Sequence, residues 1–419
     1  MYEEWLDVPA NPLALARRVS ACAHSSLLWA KNGTLAYLAC DPVAHSDALD
    51  PEPGLALAAR SPLHAVPRWV GLLPYECRRG LERGGQGSAR AVPQLVSPHW
   101  VRYAAVAVIG GGRVRVVGEA REPVQELAAR LRSRGSVREA DSVALERTTE
   151  LEAPELHRAR IRRALEHIRA GDLYQVNLAR RFELRVRGRA ADLLERLQRR
   201  GSPPYSAAFD WAELSVASVS PELFLSLDTS GVLFTSPIKG TRPRGENEAR
   251  NTELARELDA DLKERAELTM VLDVERNDLA RLARPGSVQL VVPPHVEAHG
   301  TVLHRVATLR AEQRPGVTRS ELLERMLPSG SVTGAPKVRA MDLIAELEAE
   351  RRGLYTGAFG YLAHDGSLEL GMAIRTLTVR GEQGHYWAGG GIVADSDPER
   401  EVQETLWKAE ALLGLLAEN

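Results

Sequence analysis

Strand-like segments occur in runs along this chain, and long amphipathic segments interrupt the runs at irregular intervals. Strand patterns at 176–186, 215–218 and 223–227 follow one helical stripe over 154–170 and precede another over 261–282. Folds built on parallel strands instead alternate one strand with one helix. The order therefore predicts an α+β fold with mostly antiparallel sheets, and it argues against a Rossmann or TIM-barrel architecture.

The first third of the chain consists of short apolar segments separated by Pro and Gly, which predicts strands as far as about residue 118. The triplet from Gly110 to Gly112 separates two of these segments and predicts a hairpin turn. The stretch 134–151 is charged and poor in large apolar side chains, so we expect a linker or surface excursion there. We therefore expect a boundary at 150, between a strand-rich N-terminal region, 1–150, and a second region, 151–419.

Composition excludes several broad classes of protein. The 419 residues carry a formal net charge of -2, which provides no basic field for non-specific nucleic-acid binding. No apolar run approaches the roughly 20 residues that a membrane span requires. The three cysteines, Cys22, Cys40 and Cys77, lack the number and spacing of a disulfide framework or a zinc knuckle, so we expect a cytoplasmic protein.

Two helical segments carry acidic side chains at helical spacing. Glu264 and Glu267 are separated by one turn, and Glu401, Glu404 and Lys408 share one face of the last helical segment. Paired carboxylates of this kind suit a hard divalent cation such as Mg²⁺. The alternative is that both are ordinary solvated helix faces.

A glycine-rich segment, Ser329 to Lys337, directly precedes a predicted helix. Free backbone N–H groups at such a position form an anion site that suits a phosphate or a carboxylate. The segment lacks the Walker spacing, because Lys337 comes three residues after Gly334, and a kinase or GTPase thereby loses most of its support. An ordinary helix start with Pro336 near its first turn is the alternative.

Lysine is scarce in this chain, which has 5 Lys and 49 Arg among the 54 basic residues. Lys239 lies between Pro237 and Gly240 at the end of a strand pattern. An amine held there can be desolvated, which lowers its pKa and makes it nucleophilic. A solvated lysine in a turn is the alternative.

Three further features lie within predicted strands. His304 suits either a core histidine or a catalytic one. Arg375 requires an anionic partner if it is buried, and a substrate carboxylate would serve. Gly389 to Gly391 permit either the close approach of a ligand to the backbone or a simple bulge.

Nine motifs occur in order from about residue 150 to 419: Gly171–Leu178, Ser220–Glu222, Pro237–Arg244, Arg265–Glu267, Gly330–Lys337, Gly357–Tyr361, Ile374–Thr376, Ala388–Val393 and Gln403–Thr405. Together they resemble the chorismate-utilising family, which includes component I of anthranilate synthase, component I of aminodeoxychorismate synthase, isochorismate synthase and salicylate synthase. The resemblance implies an anthranilate synthase component I-like fold, in which interleaved antiparallel sheets pack as a β-sandwich flanked by helices. Region 151–419 would then be the chorismate-binding catalytic domain, and region 1–150 a companion interleaved with it.

The resemblance also implies a role for each matching position. Glu267 and Glu404 would hold Mg²⁺ against the ring carboxylate of chorismate, with Glu264 and Glu401 as ligands through water. His304 matches the histidine that faces the departing C4 hydroxyl. The positions expected to bind the substrate are Gly240, Thr241, Thr333, Tyr361, Arg375, Gly389, Gly390, Gly391 and Lys408.

Two positions select a branch of the family. Isochorismate and salicylate synthases carry a water-activating lysine where this chain has Gln175, which cannot act as a base. Lys239 resembles the lysine of aminodeoxychorismate synthases. Where this chain has Pro-Ile-Lys-Gly-Thr, anthranilate synthases have a segment similar to Pro-Ile-Ala-Gly-Thr. The implied reaction has Lys239 attacking C2 of chorismate and Glu222 acting as general acid and base. Ammonia then replaces Lys239 to give 4-amino-4-deoxychorismate for p-aminobenzoate and folate.

A source of ammonia is expected outside this chain. None of its cysteines lies after residue 77 and no Gly-x-Cys-x-Gly elbow is present, so the resemblance implies a glutamine amidotransferase subunit as partner. Component I of anthranilate synthase is the closest alternative. A non-catalytic relative that kept the fold is a second alternative, against which Glu267 and Glu404 argue. We expect no nucleic-acid and no membrane partner.

Overall fold

Two antiparallel sheets and the helices that cover them make up the described part of this computed structural model. The described residues are 1–22, 24–58, 63, 65–77, 93–133, 143–147, 154–199, 201–212, 214–299 and 302–417.

The strands in chain order are β1 Tyr2–Leu6, β2 Ser25–Ala30, β3 Leu35–Ala39, β4 Ala44–Ser46, β5 Pro67–Leu73, β6 His99–Arg102, β7 Ala105–Gly110, β8 Arg113–Gly118, β9 Ala144–Arg147, β10 Gln175–Arg187, β11 Tyr205–Trp211, β12 Leu214–Ser220, β13 Leu223–Leu227, β14 Val232–Ser236, β15 Ile238–Pro243, β16 Gln289–His299, β17 Val302–Glu312, β18 Gly334–Ala335, β19 Ala358–Ala363, β20 Leu368–Met372, β21 Thr376–Arg380 and β22 Gln383–Ile392. The α-helices are α1 Pro12–Arg18, α2 Arg121–Arg132, α3 Pro154–Arg169, α4 Ala190–Gln198, α5 Glu248–Ala260, α6 Leu262–Ala280, α7 Arg319–Met326, α8 Lys337–Leu347 and α9 Pro398–Ala417.

The first sheet has the strand order β1-β8-β7-β3-β2-β11-β12-β21-β22-β10-β18, and β9 also pairs with β10. The second has the order β15-β17-β14-β13-β20-β19-β5-β6-β4, and β16 also pairs with β17. The registered neighbours in both sheets run antiparallel, as in the pairs β10 with β22 and β19 with β5. The predicted α+β class with antiparallel sheets is confirmed.

The two sheets pack face to face, and helices cover their outer faces. Tyr37 and Phe209 of the first sheet share one buried cluster with Val70 and Phe359 of the second. A second cluster packs α1, α2, α4 and α9 on the first sheet, and a third packs α6 and α7 on the second. This arrangement is the predicted β-sandwich flanked by helices.

The local sequence explains the turn between β7 and β8. Gly110 pairs with Arg113 in the β7–β8 ladder, and the two loop residues Gly111 and Gly112 have φ of 57° and 73°. Such a two-residue hairpin needs positive φ at both loop positions, which glycine adopts readily. The predicted hairpin is confirmed.

Two continuous apolar segments each divide between the sheets. Residues 100–109 contribute to β6 in the second sheet and to β7 in the first. Residues 368–379 likewise contribute to β20 and β21, and the chain crosses between the sheets at Arg375, whose φ is 51°. Apolar patterning could not reveal these crossings, because the strands on both sides of each crossing are buried.

The expected boundary at 150 lies outside the described residues. Strands from both sides of it enter both sheets: β2 pairs with β11 in the first, and β5 pairs with β19 in the second. Within the described residues, the helices are all too short or too polar to cross a membrane.

Candidate active site

The carboxylates of α6 and α9 meet at the end of β22. A methyl group added at Gly390 would lie 3.2 Å from both Glu401 Oε2 and Glu404 Oε1. One added at Gly391 would lie 3.5 Å from Glu267 Oε2. The glycines of β22 therefore leave the space that these three acids occupy, and the structure brings together residues that are far apart in the chain.

Two lysine side chains lie beside this cluster of carboxylates. Lys263 Nζ lies 3.8 Å from Glu267 Oε1 and 3.7 Å from Glu401 Oε1. Lys408 Nζ lies 2.6 Å from Glu404 Oε1 and donates a hydrogen bond to the carbonyl oxygen of Gly389 at 2.9 Å. The cluster thus balances several negative charges with cations at its edge.

Glu264, the fourth predicted metal ligand, lies beside Gly240 at the β15 side of the cluster. Its Oε2 would be 3.1 Å from a methyl group at Gly240, and its Oε1 accepts from Arg242 Nη1 at 3.3 Å. Gly240 has a φ of 83°, and the β15–β17 register shifts between Lys239 and Thr241. Glycine tolerates the positive φ at this irregular position better than any other residue does.

Burial and charge shift the pKa values of the acids in opposite directions. Burial raises the pKa of Glu267 to about 6, with Glu264 and Glu404 adding to the rise and Lys239 and Lys263 opposing it. Burial also raises the pKa of Glu401. The neighbouring Lys408 lowers the pKa of Glu404. Glu267 and Glu404 are therefore mainly carboxylates at neutral pH, and carboxylates are the ligands that a hard divalent cation prefers.

Lys239 acts electrostatically on both this cluster and Glu222. Its positive charge lowers the pKa values of Glu222, Glu267 and Glu404, although burial outweighs it at the first two. Lys239 is half-buried on β15, opposite Arg305 of β17. Its amine is therefore close to both the acidic cluster and a separate buried carboxyl group.

Glu222 is that buried carboxyl group, 4% exposed between β12 and β13. The hydroxyl of Ser331 donates a hydrogen bond to its Oε1 at 2.7 Å. Burial raises the pKa of Glu222 to about 7, against the opposing effects of Ser331 and Lys239. A carboxyl group that titrates near neutral pH can both donate and accept a proton there.

His304 lies between Thr241 and Arg375 and contacts both side chains. Its Nδ1 lies 3.0 Å from Thr241 Oγ1, and its Nε2 lies 3.1 Å from Arg375 Nη2. Because a guanidinium group only donates hydrogen bonds, Nε2 accepts in this contact and the ring proton resides on Nδ1. Burial lowers the pKa of Arg375. An incoming carboxylate would therefore find a desolvated cation with a neutral histidine next to it.

Two predicted substrate-binding residues make their described hydroxyl contacts with residues outside this group. The hydroxyl of Thr333 donates to the carbonyl oxygen of Ser329 at 2.8 Å. Tyr361 packs edge-on against Tyr37 in the core between the sheets, and its hydroxyl donates to Glu369 Oε2 at 3.4 Å. The described contacts of Thr333 and Tyr361 thus connect them to other parts of the fold.

Sequence reasoning missed two residues that the structure brings to the site, Ser331 and Tyr355, and it used Gln175 only to select a branch of the family. Ser331 contacts Glu222, although its own glycine-rich segment had been identified. Tyr355 is buried near Lys408, whose charge opposes the rise that burial causes in the tyrosine pKa. The side chain of Gln175 lies over Gly391. A buried tyrosine in a loop has no sequence signal of its own, whereas Ser331 could have been found from its place beside Gly330.

The residues present fit a hard divalent cation with an oxygen-rich ligand. Gln175 is 1% exposed, and its Oε1 has no hydrogen-bond partner among the described atoms. A buried oxygen without a hydrogen-bond partner is costly in an isolated protein, so it indicates that a ligand would bring a hydrogen-bond donor to this place. At Gly390 and Gly391 the absence of a Cβ lets the side chain of Gln175 and the carboxylates of Glu267, Glu401 and Glu404 converge on one place.

Comparisons with known proteins agree with this geometry. A family model described as chorismate binding enzyme matches residues 22–414. Anthranilate synthase component 1 of Thermus thermophilus is 46% identical over 253 residues, which are 60% of this chain and 54% of that protein. Aminodeoxychorismate synthase component 1 of Salmonella typhimurium is 42% identical over 246 residues, which are 59% of this chain and 54% of that protein. The chain spans about half the length of the curated relatives that it matches.

Solved structures share the fold over nearly the whole chain. Anthranilate synthase component I from Streptococcus pneumoniae TIGR4 has a TM-score of 0.77 and 27% identity, covering 90% of this chain and 91% of that one. The menaquinone-specific isochorismate synthase MenF from Escherichia coli has a TM-score of 0.77 and 21% identity, covering 99% and 95%. The predicted anthranilate synthase component I-like fold is confirmed.

Proposed function

Because the chain belongs to the family of chorismate binding enzymes, we propose that its site converts chorismate and ammonia to 4-amino-4-deoxychorismate, as an aminodeoxychorismate synthase component I. The observation that carries this proposal is the position of Lys239, whose charge acts on Glu222 and on the acids of α6 and α9. A primary amine at that point can reach a ring that the acidic cluster holds through a metal ion.

Glu267 and Glu404 would hold Mg²⁺, with Glu264 and Glu401 nearby as ligands through water. Bound there, the ion would neutralise the ring carboxylate and withdraw electron density from the ring. Lys408 and Arg375 supply positive charge for the remaining carboxylate, and Arg375 is already desolvated by burial. The substrate is thus oriented by ionic contacts on two sides.

In the first step the amine of Lys239 forms a bond to C2 of the ring. The ring double bonds shift toward C4, and the C4–O bond breaks. Glu222, in its protonated form, gives a proton to the departing hydroxyl, which leaves as water. Its pKa of about 7, raised by burial, makes that form available at neutral pH.

In the second step ammonia forms a bond to C4, the double bonds shift back, and the bond between C2 and Lys239 breaks. The carboxylate of Glu222 accepts a proton from the incoming nitrogen, and Lys239 regains its amine. The enolpyruvyl group stays on the ring. Ammonia would come from a glutamine amidotransferase subunit, since this chain has no cysteine after Cys77 that could hydrolyse glutamine.

Component I of anthranilate synthase is the second candidate. Relatives of that name include the one from Thermus thermophilus at 46% identity. In that reaction ammonia itself, and not Lys239, would add at C2, and pyruvate would leave. Lys239 would then have no covalent role.

Mass spectrometry of the product separates the two candidates. The purified chain is incubated with chorismate, Mg²⁺ and an ammonium salt. We expect an aminated product that retains the enolpyruvyl group, and we expect Lys239→Ala to abolish it while Lys31→Ala, at an exposed lysine elsewhere, has no effect. Fluorescent anthranilate and released pyruvate would instead establish the second candidate.

A further inference from the structure

A continuous row of four buried side chains links Glu222 to a second carboxyl group, Glu275 of α6. Ser331 Oγ lies 2.7 Å from Glu222 Oε1, and Ser329 Oγ lies 2.9 Å from Ser331 Oγ. Ser329 Oγ is also in close hydrogen-bond contact with Glu275 Oε1. The exposed fractions are 4% for Glu222, 5% for Ser331, 3% for Ser329 and 0% for Glu275.

The number of hydrogens in this row is fixed by chemistry. Three oxygen–oxygen contacts join the four side chains, and each contact requires one hydrogen. The two serine hydroxyls supply one hydrogen each, and an ionised carboxylate supplies none. With both acids ionised, one contact would bring two lone pairs together in a buried place, which is costly. One additional proton on either acid satisfies all three contacts.

We infer that Glu222 and Glu275 share one proton across Ser331 and Ser329, and that Glu275 resupplies Glu222 after the first step and takes the proton back before Glu222 accepts one from ammonia. This inference rests on the proposed role of Glu222 as the acid that protonates the leaving hydroxyl. The described hydrogen bonds of Glu275 are with Ser329 and Gly330, so we treat it as a positioning residue and a proton reserve.

The transfer balances at every atom. After Glu222 has lost its proton, Glu275 gives its proton to Ser329 Oγ, and Ser329 gives its original hydrogen to Ser331 Oγ. Ser331 in turn gives its hydrogen to Glu222. Each hydroxyl gains one hydrogen and loses one, the negative charge moves from Glu222 to Glu275, and no water is needed.

The surroundings of both acids favour a shared proton. Burial is the main cause of the raised pKa at Glu222 and at Glu275, and the charge of Glu275 raises the pKa of Glu222 further. Lys239 faces Glu222 from β15 and lowers its pKa. Beyond Glu275, Asp278 raises and Lys337 lowers the pKa of the glutamate, and these two form an ion pair at 2.7 Å.

Infrared difference spectroscopy of the unliganded chain tests the shared proton without turnover. At pH 7 we expect one protonated-carboxyl band to disappear in Glu222→Gln and the same band to disappear in Glu275→Gln. The amide at 275 can supply the third hydrogen, which leaves Glu222 ionised. Glu369→Gln, at another carboxyl group whose pKa burial raises, should leave this band in place. A band that survives in Glu275→Gln would overturn the inference.

Steady-state kinetics test the resupply. We expect Glu275→Gln to move the basic limb of the kcat/KM profile to lower pH by about one unit, because removal of a nearby negative charge lowers the pKa of Glu222, which must be protonated in the first step. Ser331→Ala should lower kcat by at least tenfold, and Ser331→Thr, which keeps the hydroxyl, should restore it. An unmoved pH profile, or equal effects of alanine and threonine, would overturn the resupply. If the infrared result holds and chorismate is not aminated, the proposed function fails and the shared proton stands.

A separate group of side chains lies at the surface of the N-terminal region. The sulfur atoms of Cys22 and Cys40 and a carboxylate oxygen of Asp41 lie within 4.8 Å of one another. Arg130 Nη1 lies 2.6 Å from Cys22 Sγ and 3.6 Å from Cys40 Sγ, and it also pairs with Asp41. The guanidinium group contacts both sulfur atoms and the Asp41 carboxylate. Its positive charge opposes the binding of a metal cation there and instead stabilises a thiolate.

We propose that Cys22 and Cys40 form a peroxide-reactive thiol pair. The Cys22 thiolate attacks one oxygen of a hydroperoxide, the O–O bond breaks, and the other oxygen leaves as water or an alcohol after protonation. Cys40 then attacks the sulfenic acid sulfur, a disulfide forms, and one water leaves. The hydrogen bond from Cys40 lowers the pKa of Cys22 to about 7, with Arg130 contributing and burial and Asp41 opposing.

Peptide mass spectrometry after treatment with one equivalent of hydrogen peroxide tests this pair. We expect a disulfide between Cys22 and Cys40, formed equally in Cys77→Ser. In Cys40→Ser we expect a sulfenic acid that dimedone traps at Cys22, and we expect Arg130→Met to slow that labelling at neutral pH. Preferential oxidation of Cys77, or equal labelling with and without Arg130, would overturn the proposal.

Discussion

Lys263 occupies the part of the acidic cluster that a cation would enter. Its ammonium group lies between Glu267 and Glu401 while the side chain remains 48% exposed. A charge of the same sign as the metal ion opposes metal binding, and solvent screening keeps the effect modest.

We therefore expect Lys263→Met to strengthen Mg²⁺ binding by about threefold to tenfold, which is roughly 0.7 to 1.4 kcal/mol. Isothermal titration calorimetry of the substrate-free protein measures this directly. Lys31→Met is the matched control, since Lys31 is an exposed lysine near Glu369 rather than near the cluster. Unchanged or weaker Mg²⁺ binding in Lys263→Met would contradict the expectation.

The pH dependence of metal binding follows from Glu267. Burial raises the pKa of Glu267 to about 6, so the free protein carries a proton there at lower pH. A metal ion must displace that proton, and we expect Mg²⁺ affinity to fall below pH 6 by up to about tenfold per pH unit. The same calorimetry at pH 5, 6 and 7.5 checks this. In Glu267→Gln the residual affinity should lose most of its pH dependence, and a steep fall that persists in that variant would assign the proton elsewhere.

At the scale of single residues, motif matching found the acids but not every neighbour of the substrate site. The spacing of Glu264 and Glu267 on one helix could be read from the sequence, because helical periodicity is local. Ser331 and Thr333 both lie in the glycine-rich segment, and only the backbone geometry decides which hydroxyl contacts Glu222. The roles of all these residues in catalysis stay predictions.

Among the secondary-structure elements, β22 is the one whose glycines matter most to the site, because the carboxylates pack directly against its C-terminal end. A Cβ at Gly390 would come within 3.2 Å of Glu401 and Glu404, so both carboxylates would have to shift by a few tenths of an ångström. Because misplacement of about 1 Å can cost roughly 100-fold in rate, displacement of both carboxylates is expected to lower the rate if they hold the metal ion as proposed.

We expect Gly390→Ala to lower kcat by roughly 10- to 100-fold and to weaken Mg²⁺ binding, with little change in Tm. Gly54→Ala serves as the control, since a methyl group there meets nothing within 4 Å. Chorismate turnover, Mg²⁺ titration and a thermal melt are measured for both variants. Full activity in Gly390→Ala would show that the carboxylates need no glycine at this position.

The helices α3 and α6 were predicted to within two residues of their observed ends, because their apolar spacing and their first residues favour a helix. The short helices α1 and α4 and the helix α5 were not predicted. In α5 only Asn251 and Leu258 are buried, so the helix presents almost no periodic apolar stripe to detect. Its position is set by contacts with β15 and β16 instead of by its own pattern.

At the scale of the whole molecule, the antiparallel class was predictable, whereas the strand order was not. Strands adjacent in a sheet come from distant parts of the chain, such as β2 beside β11 and β5 beside β19. Local patterns carry no information about such pairing, because any amphipathic or apolar strand satisfies the same periodicity. Family resemblance therefore supplied the interleaved order that periodicity could not supply.

This interleaving predicts that neither half of the chain folds alone. A fragment of residues 154–419 would leave β11 and β19 with one unpaired edge each and would expose the apolar face that packs on β2 and β5. We expect that fragment to aggregate or to lack a cooperative thermal transition by circular dichroism. Coexpression of residues 1–133 with residues 143–419 should restore a complex with a single sigmoidal melt close to that of the intact chain. A sharp, reversible melt of the 154–419 fragment by itself would instead make the second region an independent domain.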